Sequence, residues 1–337
     1  MSMLTMAKLT TLLAPLLVLP APPPPGGHAH DASGAAALAA ALAHGQQTMA
    51  ALEAADACSQ TAFLAGYASF LGLQEDLNLA MANCTNLTEP AEINQCEHDA
   101  AKAFEDGLDE VVAQYFARKD ICSKLGGGPY DPDIDEGDFA RPTPNKYFPF
   151  KPGTTWIYHE QTDEGLEVNV VTVTDETILI DDVVCTVVHD TVALDGEVFE
   201  DTLDYFAADE DGNVWYFGEH TQTLEDGLVV SLDGTFTAEV DGAKAGIIML
   251  ATPTLDTTYR QEFLINEAED VATVVALNET VTVPFGTFQH CLKTADYTAL
   301  DPGVIEYKFY AAGIGMVLED NPDTGTQVVL VSFTPGS

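Results

Sequence analysis

The stretch NKYFPFKPGTTWIYHE, Asn145–Glu160, divides the chain. Upstream, apolar residues recur at helical spacing; downstream, they alternate. In TTWIYHE, Trp156 and Tyr158 fall on the face opposite Ile157 and His159. That alternation reads as a half-buried strand. Lys151-Pro152-Gly153 reads as a tight turn feeding it, because Pro presets one turn dihedral and Gly supplies the positive one. The segment is therefore expected to be a domain boundary and first strand rather than a binding site.

Below Asn145 the strand signal continues. LEVNVVTVT and VVCTVVHDTV are rich in Val and Thr, as pleated surfaces favour. Asp-Gly pairs follow at Asp195-Gly196, Asp211-Gly212, Asp226-Gly227, Asp233-Gly234 and Asp241-Gly242. Asp-Gly between alternating runs is a strong hairpin signal, since Asp and Gly both tolerate positive φ. Further strands are expected in TYRQEFL, DVATVVAL, ETVTVP, TFQHCLKTADY, VIEYKFYAA, GMVLE and TQVVLVSF. About a dozen strands without a long helix predict an all-β antiparallel meander over 146–337, as an open barrel or sandwich.

Above the boundary, a helical region is expected over 31–125. Phe63, Phe70, Leu77 and Cys84 recur every seven residues, with Tyr67 on the same side. A second arm opens at TEPAE, with Thr88 as N-cap and Pro90 in the first turn. It continues through Phe104, Leu108, Val111, Val112 and Tyr115. Ala35–His44 forms a candidate third helix. The whole chain thus reads as α+β, a helical hairpin followed by a β domain.

The first thirty residues read as a signal peptide. Lys8 precedes an apolar run, Leu9–Leu19, too short to span a bilayer and followed by Pro and Gly. No Cys precedes Cys58, which argues against a lipoprotein anchor there. No later stretch predicts membrane insertion. The expected location is secreted or periplasmic, and export makes the six cysteines disulfide candidates. Cys58 to Cys84 and Cys96 to Cys122 are equal intervals of 26 residues. Folded back on each other, two such helices bring Cys84 to Cys96 at the turn and Cys58 to Cys122 at the far end, ~39 Å away at 1.5 Å per residue. Cys185 and Cys291 are left, and are expected to pair with each other.

Between the regions lies GGGPYDPDIDEGDFARPTPN, Gly126–Asn145, a linker by composition. Its alternate acids Asp131, Asp133 and Asp135 raise the question of a Ca2+ loop. Counted from Asp131, position six is Glu136 where an EF-hand needs Gly, and position twelve is Pro142 where it needs Glu. The plainer reading is a solvated acidic linker; a looser calcium site on these residues is the alternative.

Charge excludes some partners. Against 54 acidic residues stand 12 basic ones, a formal net of −42. Such a surface repels nucleic acid and anionic membranes and attracts cations. No nucleophile elbow, His-Glu-x-x-His, phosphate loop, dinucleotide fingerprint or Cys-x-x-Cys is present. The histidines His159, His189, His220 and His290 lie on separate predicted strands. Carboxylates are too numerous to single out an acid–base pair. No catalytic residue is assigned.

YFPFKPGTTWIY, DEDGNVWYFGE and YKFYAAGIGMVLE together resemble the opening, middle and late segments of a group of uncharacterised exported bacterial β domains, often lipoproteins. The resemblance spans roughly 145–333 and implies fold without catalysis. The N-terminal part resembles twin-disulfide helical hairpins of small exported proteins. Three functions are therefore carried forward. The first is a non-catalytic module holding an apolar or amphipathic small ligand on a curved sheet, with the hairpin as lid or docking arm. The second is an acidic envelope or extracellular structural protein binding divalent cations. The third is a hydrolase without a recognisable motif. Oligomeric state is left open.

Overall fold

The computed structural model describes residues 55–336. The expected signal peptide and the Ala35–His44 helix lie outside the described residues.

Two helices come first, α1 (Ala57–Cys84) and α2 (Pro90–Leu125). Asp56 caps α1, its carboxylate accepting from the Ser59 N–H at 2.8 Å. At the start of α2 the expected cap is displaced by one residue. Glu89, not Thr88, holds the N-cap position, without a side-chain hydrogen bond, and Pro90 opens the helix. Gly126 ends it in the left-handed conformation, φ +92°.

The helices pack along Phe70 and Val111, flanked by Phe63, Tyr67, Leu73, Phe104 and Leu108. Both expected cross-braces form: Cys58–Cys122 and Cys84–Cys96, each with a Cα–Cα distance of 5.6 Å. So slim a core gives little burial of its own, and the two bonds restrict the unfolded hairpin instead.

The β region is one antiparallel sheet curled into a nearly closed barrel. Its strands are β1 (Thr155–Gln161), β2 (Leu166–Ile180), β3 (Val183–Leu194), β4 (Glu197–Ala208), β5 (Val214–Glu225), β6 (Leu228–Ser231), β7 (Phe236–Thr237) and β8 (Lys244–Met249). Then follow β9 (Thr258–Arg260), β10 (Glu262–Phe263), β11 (Val271–Val283), β12 (Gly286–Tyr297), β13 (Glu306–Ala311), β14 (Gly315–Asn321) and β15 (Thr326–Thr334). The spatial order is β10-β8-β5-β4-β3-β2-β1-β15-β14-β13-β12-β11-β9. Antiparallel neighbours joined by short turns dominate, as the Asp-Gly pairs require. Asp195-Gly196, Asp226-Gly227 and Asp241-Gly242 have positive φ at both residues. Asp181-Asp182 makes a similar turn between β2 and β3, a signal the sequence reading passed over.

Closure is local and unusual. β9 pairs with β11 at one edge, and β10 pairs with β8 at the other. Only Gln261 separates them, so one continuous segment spans the seam. Gly246 lies against that segment: a Cβ there would stand 2.1 Å from the Gln261 carbonyl oxygen. Only glycine permits this approach.

One apolar cluster draws residues from strands all round the barrel, including Trp156, Val173, Phe206, Val214, Leu292, Tyr310, Val317 and Leu330. It fills part of the interior. Trp156 donates to the Ile314 carbonyl at 2.6 Å, tying the first strand to the late turn. A second cluster, Ile180, Val183, Cys185, Ala207 and Phe217, lies on the opposite face. Tyr216 and Phe217 show the division, since consecutive strand residues point to opposite faces.

Two expectations are corrected here. Cys185 and Cys291 are both free and buried rather than bonded. Cys185 packs in the outer-face cluster and Cys291 in the interior one, so the two thiols do not meet. The acidic linker is also not a solvated tether. It straps the outer cluster, with Ile134 and Phe139 packed against it. The Tyr130 hydroxyl donates to the Ala245 carbonyl at 2.8 Å, and the Asn145 amide donates to the Gly212 carbonyl at 2.7 Å.

The base of the hairpin, where α2 runs into the strap, docks on the barrel. Ile121, Ala117 and Leu125 pack on Val271, Ala299 and Tyr297. A buried ion pair accompanies this contact. Arg118 and Glu269 are 4% and 3% exposed, with Arg118 Nη2 2.7 Å from Glu269 Oε1.

Candidate functional site

A cavity of about 300 Å³ opens where the docked hairpin, the strap and the barrel seam meet. Its walls include Ile121 and Leu125 from α2, Pro129 and Tyr130 from the strap, and Ile247 and Phe263 from the sheet. The Cys58–Cys122 bond lines it too, so the brace that ends the hairpin also shapes the cavity. Such size, with mostly apolar lining and few polar groups, is characteristic of small-molecule sites.

The polar groups are Arg118, Arg260 and Glu269. Glu269 accepts from Arg118 Nε at 2.8 Å and from Arg118 Nη2 at 2.7 Å, and from the Asn266 N–H at 2.8 Å. One Arg118 nitrogen, Nη1, has no partner. Arg260, 8% exposed, has none at Nε or Nη1. Its guanidinium lies 4.7 Å from the Phe263 ring centre and 5.5 Å from that of Tyr130. Those ring faces partly offset the lost hydration but supply no hydrogen-bond acceptors. Burial lowers the Arg260 pKa, with Glu269 opposing. A guanidinium remains charged regardless. Burial pushes the Tyr130 hydroxyl up to about 12, so it stays protonated beside Arg260. The cavity thus presents apolar walls and buried N–H donors that lack acceptors.

A second polar region lies inside the barrel. Along inward-facing strand positions the apolar cluster gives way to acids. Asp190 lies two residues beyond Val188 on β3, Asp204 two before Phe206 on β4, and Glu319 two beyond Val317 on β14. Glu219 is the register partner of Asp204. Asp296 and Glu306 face each other across β12 and β13, and Glu262 and Asp270 flank the seam. Burial is the leading cause that raises the pKa of Asp190 to about 7, and that of Asp204 and Glu262 well above the usual range. Neighbouring carboxylates add to it. Lys308 is the cation among them. Burial opposes its charge, but Glu319 and Asp296 outweigh that and hold its pKa well above normal. Its ammonium is 3.6 Å from both Asp296 and Glu319.

The residues singled out for calcium do not converge. Asp131, Asp133 and Asp135 are exposed, alternating with Pro132 and Ile134, which turn inward. Asp131 pairs with Lys244 at 3.2 Å, and Asp135 accepts from the Gly137 N–H at 2.8 Å. The alternation is therefore that of a strap with one face on the sheet. Among the described residues no group of three His, Cys, Asp or Glu side chains could hold a metal ion. The histidines stay separate: His189 pairs with Asp201, His220 with Gln222 and His290 with Asn278. The sequence reading missed Arg118, Arg260 and the interior acids. Scarcity was a usable signal for the arginines, since so few basic residues occur; the acids had none.

No family model matches the chain, and no curated protein matches it in sequence. Among solved structures, a candidate lipoprotein from Parabacteroides distasonis is similar at 13% identity and a TM-score of 0.32, covering 57% of this chain and 100% of that one. So slight a likeness says nothing of what either protein binds. The two disulfides suit an extracytoplasmic setting. No helix among the described residues is long and apolar enough to cross a membrane.

Proposed function

We propose that the protein is an exported, non-catalytic binding module whose cavity at the hairpin–strap–barrel junction holds a small amphipathic ligand: an apolar body with an anionic head. The observation that carries this reading is Arg260, a buried guanidinium with acceptor-less N–H groups in an apolar cavity. A carboxylate there would satisfy donors that water reaches poorly, and charge-assisted hydrogen bonds are among the stronger ones. The hairpin serves as a wall, not a lid. The apolar part of the concave sheet face, where the sequence reading placed the ligand, is filled by the barrel's own core.

The surface charge makes a kinetic signature. A net of −42 repels an anion at long range, and salt screens that repulsion. The buried contact is screened less, so association quickens as salt rises. The direct test is calorimetry with hexanoate and benzoate against the matching neutral amides. Carboxylates should bind in preference, and Arg260→Met should abolish the preference while the protein stays folded. Equal binding of acid and amide would refute the reading.

A further inference from the structure

The barrel interior combines a one-sided charge with an unsatisfied group. Asp190, Asp204 and Glu219 occupy the β3–β5 wall, and Asp296 and Glu319 the β12–β14 wall. Lys308 engages only the second wall, at 3.6 Å from each of its two acids. The Asp296 oxygen Oδ2 takes the Gln261 amide at 3.2 Å and lies near Lys308. Its other oxygen, Oδ1, has no partner, although the side chain is only 6% exposed. A buried carboxylate oxygen without a donor is costly unless something else supplies one.

The interior also admits water. Lys308 and Glu319 keep 27% and 21% of their side-chain surface accessible although strands surround them. Among the described residues the acids do not converge as a metal shell. They lie on opposing walls, and the protein's own occupant is an alkylammonium. That pattern fits charges separated along a chain rather than one compact ion.

We propose that the barrel interior is a second binding site, for a linear aliphatic polyamine whose ammonium groups pair with Asp190, Asp204 and Glu219 on one wall and reach Asp296 beside Lys308 on the other. The ligand supplies the cations that one wall lacks. It also donates to the oxygen that Lys308 leaves unpaired. This site is independent of the arginine-lined cavity and of opposite charge preference.

The test is calorimetric titration of the full chain with spermidine at about 0.15 M NaCl, where surface attraction is screened beyond ~8 Å. One saturable site is expected. The variant Asp204→Asn/Glu219→Gln should weaken it at least about tenfold, the scale for deleting partners of desolvated charges. The strap variant Asp131→Asn/Asp133→Asn, with the same change in formal charge, should leave affinity unaltered. Should the interior double variant fail to fold, Asp190→Asn is titrated under the same criterion. Absence of a saturable site overturns the proposal. So does equal weakening by the strap variant, which marks surface attraction, or tighter binding of Mg2+ in competition, which marks a metal site.

Discussion

Asp190→Asn should make the protein more stable near pH 8 and change its stability by less than about 1 kcal/mol near pH 4. In the folded chain burial raises the Asp190 pKa from 3.8 to about 7, with Glu200 and Glu219 adding to it and Asn169 and His189 opposing. A carboxyl that holds its proton more tightly when folded favours the folded state fully below its unfolded pKa. That advantage is lost as pH rises through 3.8 towards about 7, and the charged form is then a burden. At ~1.4 kcal/mol per pH unit the full interval amounts to ~4 kcal/mol, and water in the interior reduces it to about 2–4 kcal/mol. Asparagine keeps the shape, and its side-chain oxygen can still accept from the Asn169 amide, which donates to Asp190 in the native protein. Urea unfolding of both proteins near pH 4, 6 and 8 at constant ionic strength measures the difference. A gain equal at every pH, or a loss near pH 8, would refute the reasoning.

The hairpin–barrel contact should prove equally sensitive. Arg118→Met leaves Glu269 buried without its partner and should cost about 3–5 kcal/mol in denaturant unfolding, with Arg118→Met/Glu269→Gln recovering much of it. Gly246→Ala should open the barrel seam, because its methyl would meet the Gln261 backbone; accelerated amide exchange in β8 and β10 reports it, and unchanged exchange contradicts it. Without reductant, Cys185 and Cys291 should resist a thiol reagent in the native protein and react as two thiols per chain on unfolding. Burial pushes the Cys185 thiol up to about 12, which leaves little thiolate to attack.

Much of the architecture was legible in local pattern. Seven-residue spacing and two equal cysteine intervals specified a doubly braced hairpin, because helix rise turns sequence distance into physical distance. Alternation and Asp-Gly pairs specified antiparallel strands, because pleat and turn geometry are local. The fate of Cys185 and Cys291 was not legible. Pairing by elimination ignores where each strand residue packs, and these two fall in separate clusters. The strap was misread for a related reason. Its acids dominate the composition, while Ile134 and Phe139, which anchor it, are sparse among them.

By itself, then, the sequence determined the kinds of element, their order and the hairpin's bonds, all set by short-range geometry. Only the tertiary structure decided how the barrel closes through Gln261, where Arg118 and Arg260 meet, and which of the many acids turn inward to face one another. Those features join residues far apart in the chain, and their chemistry arises when folding removes charged groups from bulk water while leaving some donors and acceptors unpaired.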